Sequence, residues 1–147
     1  GDIQNDVVLE SLIKEASELI ELYMIEPEPK SLLSIPYAIN SDLYCSGNIE
    51  VTSKGLYHSF VTGKHNVYVK GVIRGGEIHA GNVVRVDESG SESIVKTAIY
   101  TEEKGRIHIG VAHEGTEIHV GNRKHAFTKK GINIQAYLDK DGNLIIN

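Results

Sequence analysis

A single cysteine, Cys45, excludes an internal disulfide framework and fits a reducing compartment. Tryptophan is absent, phenylalanine occurs only twice and proline three times, against 15 glycines and many Val and Ile. That balance favours short strands cornered by glycine over a helical bundle. No apolar run approaches the length of a membrane span, and the N-terminus lacks the basic-then-apolar layout of a secretory signal. A cytoplasmic protein without a membrane span is the expectation. Positive charge is also short: 15 Lys+Arg face 20 Asp+Glu, for a net charge of −5. Residues 1–30 carry eight acids and two bases, a net of −6 that leaves the remainder near neutral. The nearest thing to a basic surface is Arg123-Lys124-His125 with Lys129-Lys130. We read it as a solvated edge, so nucleic acid is not an expected partner. At 147 residues the chain has room for one domain with an ordinary core.

What is present in abundance is repetition. Glu77-Ile78-His79-Ala80-Gly81-Asn82 returns 40 residues later as Glu117-Ile118-His119-Val120-Gly121-Asn122. Looser versions precede it: Ser59-Phe60-Val61-Thr62-Gly63 lines up with Glu77 to Gly81 at a spacing of 18, and Tyr44-Cys45-Ser46-Gly47 lies a further 16 upstream. This alignment is expected to set Ile78 over Phe60. Units this small cannot bury their own apolar face, so they stack around one shared core. Period-2 apolar pairs follow the glycine corners: Ile49/Val51, Val67/Val69, Val84/Val86, Ile107/Ile109 and Ile132/Ile134. Their side chains should face inward and leave Glu50, Tyr68, Arg85, His108 and Asn133 outside. A left-handed hexapeptide helix would place an aliphatic residue at every sixth position. The spacing of 16 to 18 over residues 47–86 does not, which points to the less regular, right-handed parallel β-helix.

Ahead of the repeats, residues 6–25 show helical periodicity in Leu9, Leu12, Ile13, Ala16, Leu19, Ile20 and Tyr23. Asn5 or Asp6 is positioned to cap that helix, and Glu26-Pro27 to end it. Three placements are open to its stripe: along the solenoid, across its open end, or against a second helix of the same or another chain. The steps through Leu9, Leu12, Ala16, Leu19 and Tyr23 are heptad-like, which makes those five residues the candidate oligomer or partner face. The expected layout is therefore a helix over 1–26, a proline-containing linker over 27–40 and a β-helix domain over 41–147. A polar loop is expected at 87–93. Asp141-Gly142 between apolar segments predicts a closing hairpin.

Seven histidines raise the question of chemistry. Stacked rungs lie about 4.8 Å apart, so His79 and His119 are expected on one outer face two rungs apart, roughly 10 Å from each other on that spacing. That is too far to share an ion without a bridging residue. An exposed polar ladder is the expectation, with no metal and no cofactor. No Gly-x-Ser-x-Gly elbow is present, and the glycines at 71 and 76 are followed by Glu77-Ile78 where a phosphate loop requires Lys-Ser/Thr. Acids cluster on the helix and in presumed turns rather than along strands. The rival reading is a left-handed-β-helix-like or sugar-modifying enzyme that uses His79, His113 or His119 as a base.

Arg74-Gly75-Gly76-Glu77-Ile78-His79-Ala80-Gly81 and Gly115-Thr116-Glu117-Ile118-His119-Val120-Gly121, with Cys45 to Ile49, Ser59 to Gly63 and Gly105 to Gly110, resemble the C-terminal half of the flagellar assembly protein A family, the DUF342 group of bacterial proteins. The resemblance runs from about Leu9 to Ile146 and lacks the additional N-terminal region that family members carry. It implies a right-handed β-helix in the style of bactofilins, no catalytic residues and a role in assembly. The expected function is thus a non-catalytic scaffold that docks protein partners or its own copies as a homo-oligomer.

Overall fold

The computed structural model describes residues 31–147. The expected helix, its face of Leu9, Leu12, Ala16, Leu19 and Tyr23, and the start of the linker lie outside the described residues.

The chain winds through five stacked rungs. The first is β1 (Leu32–Ile39) with β2 (Asp42–Cys45), the second is β3 (Asn48–Gly63), and the third is β4 (Asn66–Ala80). The fourth is β5 (Val83–Ser89) with β6 (Thr97–Thr101), and the fifth is β7 (Arg106–Ala112) with β8 (Thr116–Val120). Every pairing between successive rungs is parallel. The chain then reverses. β9 (Arg123–Ala126) pairs antiparallel with β8, β10 (Gly131–Leu138) with β7, and β11 (Leu144–Ile146) with β10. The stack is a β solenoid with an antiparallel cap at its C-terminal end.

Alternation along each strand sends one set of side chains inward, and the parallel register piles that set into columns. One column runs Ile49, Val67, Val84, Ile107, and a second runs Val51, Val69, Val86, Ile109. On the other limb Val61, Ile78, Ile99 and Ile118 are stacked, each fully buried. A row of small polar residues, Ser59, Gly76, Thr97 and Thr116, lies beside them. The three hydroxyl-bearing members are fully buried, and they close backbone bonds at the corner: Gly75 N–H donates to Thr97 Oγ1 at 2.9 Å and Ser41 N–H to Ser59 Oγ at 3.1 Å. Asparagines do the same at the opposite corner, where Asn66 N–H donates to Asn48 Oδ1 and Val83 N–H to Asn66 Oδ1, each at 3.0 Å.

The second corner of the rung takes a left-handed backbone. Asn40 (φ 50°), His58 (φ 49°), Gly75 (φ 76°) and Gly115 (φ 96°) occupy it in four of the five rungs, each just before the strand that forms the second limb. Asparagine and glycine tolerate this region best, and histidine is among the less unfavourable alternatives.

Four expectations are corrected. The register is offset by one: Ile78 lies over Val61, and Phe60 lies beside Glu77 and is exposed. Aligning on glycine misled, because Gly63 stacks on Ala80 while Gly81 turns the corner one residue later. The first repeat is offset by two, which places Tyr44 beside Thr62 rather than Phe60. In the last pair, Ile134 is buried but Ile132 is 61% exposed. Ile132 pairs with Val111, beyond the bend at which inward phase shifts from Ile109 to Ala112, so Ala136 takes the inward place and Gln135 the outward one. The polar loop occupies 90–96, since Asp87–Ser89 continue β5 and Ser89 is fully buried between Ile73 and Ala112. Residues 32–39, placed in the linker, form β1, with Pro36 at the bulge between Ile35 and Tyr37 where its missing N–H interrupts no ladder bond. The Asp141-Gly142 hairpin is present, with Asn143 N–H and Asp141 N–H donating to Asp139 Oδ1 at 2.8 and 2.9 Å.

Candidate functional site

Two outward ladders carry the polar chemistry. On the second limb the register aligns Thr62, His79, Tyr100, His119 and Lys124 in one row and Phe60, Glu77, Ala98 and Glu117 in the next. His79 and His119 are therefore two rungs apart on one face, as the 40-residue repeat implies. Tyr100, contributed by the intervening rung, fills the space between them. Its ring is stacked on both imidazoles with centroids 4.2 Å apart, at interplanar angles of 3° and 17°. The strand spacing of a parallel sheet sets that separation, so the stack follows from the fold.

Each imidazole is held from within its own strand. His79 Nε2 is 2.8 Å from Glu77 Oε1, and His119 Nε2 is 2.9 Å from Glu117 Oε1. An ionised carboxylate only accepts, so Nε2 carries the hydrogen in both. The hydrogen bond from His119 holds the Glu117 carboxyl below its ordinary range, helped by the nearby charges of His119, Lys124 and Lys96 and opposed by partial burial. Tyr100 is pushed above the usual phenol value, first by burial and then by the carboxylates of Glu77 and Glu117. Two steps of 4.2 Å separate the imidazoles, and zinc–nitrogen bonds of about 2 Å cannot span them. Among the described residues no three His, Cys, Asp or Glu side chains gather where they would hold a metal ion. Both faces of Tyr100 are covered, so a partner meets ring edges and carboxylates.

On the first limb, Glu50, Tyr68, Arg85, His108 and Gln135 form the other ladder. Arg85 lies over Tyr68 at 5.7 Å and Arg106 over Tyr137 at 4.3 Å. Burial, then the charges of Arg85 and Arg106, hold the His108 imidazole below its ordinary value. Glu50, Tyr68, Lys70, Arg85 and Asp87 line a shallow groove along this face.

The remaining histidines do not join either ladder. His113, the third proposed base, is buried in the turn after β7 with Nε2 2.6 Å from Glu88 Oε2. His79, His113 and His119 thus do not share one centre. His58 holds the left-handed corner position of β3, and His125 meets Phe127 edge-on at 4.8 Å. Arg123-Lys124-His125 is β9, exposed along its length. The Tyr100 sandwich escapes sequence reading because Ala98-Ile99-Tyr100 lacks the glycine that marks the flanking copies. No helix among the described residues is long and apolar enough to cross a membrane. No protein-family model, curated protein or solved structure matches the chain.

Proposed function

We propose that this protein is a non-catalytic scaffold of the flagellar assembly protein A type, a right-handed parallel β-helix whose lateral ladders dock protein partners or further copies in the bacterial cytoplasm. The observation that carries this reading is the unbroken parallel pairing from β1 to β8, with inward columns continuous over all five rungs. A stack of this kind transmits its geometry from rung to rung and holds surface groups at fixed spacing, which suits a ruler or platform. The twin glycines of the Arg74-Gly75-Gly76-Glu77 motif support the family reading, since both take positive φ at the corner, 76° and 85°.

The test is light scattering coupled to size exclusion over a range of concentration, together with melting curves against a metabolite panel. A discrete oligomer with no ligand-induced shift is expected. A monomer throughout would remove the self-association half. A metabolite that raises the melting temperature of the parent but not of His79→Ala, His113→Ala or His119→Ala would replace the scaffold with the enzyme.

A further inference from the structure

Two strands of the cap end the sheet, and they are finished differently. β11 is uncharged and half-buried along its length, whereas β9 is exposed at all four residues and pairs with β8 alone among the described residues. Phe127 N–H donates to the Thr116 carbonyl at 2.8 Å, so the ladder bonds of this antiparallel pair recur at His125 and Arg123. The backbone N–H and C=O groups of Lys124 and Ala126 therefore point away from β8, with no strand on their other side among the described residues. Bases crowd the same edge. Arg123, Lys124 and His125 lie on it, Lys129 and Lys130 follow Phe127, and all five are exposed. Among the described residues none of them forms an ion pair with a carboxylate. Glu117 feels the charge of Lys124, but its carboxylate is taken by His119 at 2.9 Å. Arg123 Nε–H donates to the Gly142 carbonyl at 3.0 Å, which steadies the guanidinium beside the hairpin.

We infer that β9 is a docking edge for an extended acidic segment of a partner protein, which adds as a further strand through the backbone of Lys124 and Ala126 while its carboxylates meet Arg123, Lys124, Lys129 and Lys130. In strand addition the main-chain bonds supply affinity and the flanking side chains supply specificity. Lysine on a strand edge ordinarily deters pairing between copies, because two such edges repel. The same charges that turn away another β9 admit a strand of opposite sign. Nucleic acid fits the edge less well. Single strands are held by bases stacked on free aromatic faces, and the rings here are engaged with each other, His125 edge-on against buried Phe127. The inference rests on the scaffold reading for the kind of partner, and adds to the lateral ladders a docking place at the end of the sheet.

Fluorescence anisotropy on the full chain tests this with a short fluorescein-labelled peptide of alternating glutamate and valine. Saturable binding to the parent is expected, weakened at least about tenfold by Lys124→Glu/Lys130→Glu. Ala126→Pro removes an N–H that faces away from β8, a place where an edge strand tolerates proline, and should weaken binding with every charge retained. Should that variant lose its sheet signal, the same peptide N-methylated along its backbone poses the question with the protein untouched, and its affinity should also fall at least about tenfold. No saturable binding by the parent would overturn the inference. Binding that ignores the charge reversal, or that survives N-methylation or a folded Ala126→Pro, would overturn it as well. An oligothymidylate that binds the parent as tightly as the peptide would replace the docking edge with a polyanion surface. Light scattering on the same samples keeps the two readings apart: a null titration with the oligomer intact removes the docking edge alone, whereas a monomer that binds the peptide removes self-association alone.

Discussion

Gly76 lies so close beneath Ser59 that a Cβ on it would stand 2.1 Å from the Ser59 carbonyl oxygen, in a backbone with φ of 85°. Gly142, with φ of 82°, has nothing within 4 Å of the same position. The pair separates crowding between rungs from backbone strain. Gly142→Ala is expected to cost only the left-handed strain, about 1 kcal/mol. Gly76→Ala adds displacement of a neighbouring strand and is expected to cost at least about 3 kcal/mol. Urea denaturation of the two variants gives the comparison.

Two buried threonines should respond in opposite directions. Thr97 Oγ1 accepts from Gly75 N–H at 2.9 Å and donates to the Val95 carbonyl at 3.1 Å, whereas the Thr101 hydroxyl is buried with no partner. Thr97→Val leaves a buried amide unsatisfied and should cost about 1–3 kcal/mol. Thr101→Val removes an orphaned hydroxyl at nearly constant shape, and should raise stability by about 1 kcal/mol. A rise in the urea midpoint for one variant and a fall for the other is the expected result.

The corrected phase of β10 has its own test. Ile134 is 8% exposed and packs in the core, while Ile132 is 61% exposed. Ile134→Ala should lose about 2–4 kcal/mol and Ile132→Ala less than about 0.5 kcal/mol. Equal losses would restore the inward pairing that alternation alone suggests.

The Tyr100 sandwich should behave as a coupled unit. Tyr100→Leu keeps apolar bulk but removes both stacks, at about 0.5–1.5 kcal/mol each. A double-mutant cycle with His79→Ala is expected to show coupling of about that size for one stack. Additive losses would mean that the rings merely adjoin.

His108 ties stability to pH. Burial and the charges of Arg85 and Arg106 lower its folded pKa from the ordinary 6.5. A depressed folded value contributes stability that is complete above the unfolded value and is lost as pH falls through the folded one. The urea midpoint should therefore decline as solutions are acidified below about pH 6.5, and His108→Gln should flatten that part of the profile. An unchanged slope in the variant would move the effect to another group.

Much of the architecture is legible in the residues. Four of the five period-2 pairs face inward as read, and Glu50, Tyr68, Arg85 and His108 line up outside them. The 40-residue echo correctly sets His79 and His119 two rungs apart, because identical spacing in a parallel stack returns side chains to the same face. Where the reading slips, the cause is local. Glycine serves as a corner at Gly81 but as an inward spacer at Gly63, and only neighbouring rungs distinguish the two uses. Sequence cannot see that Ala98-Ile99-Tyr100 is the missing copy between the repeats, since a seven-residue loop at 90–96 hides its register.

The chain's own pattern of valine, isoleucine and glycine determined that it would wind into stacked strands around an aliphatic interior, because alternation and positive-φ corners are properties of short segments. Which residue lies over which, which hydroxyls find partners, and how Tyr100 comes to stand between two imidazoles were decided only in three dimensions. Those outcomes depend on the relative advance of one rung past the next, a quantity set by packing across the whole stack and carried by no single stretch of sequence.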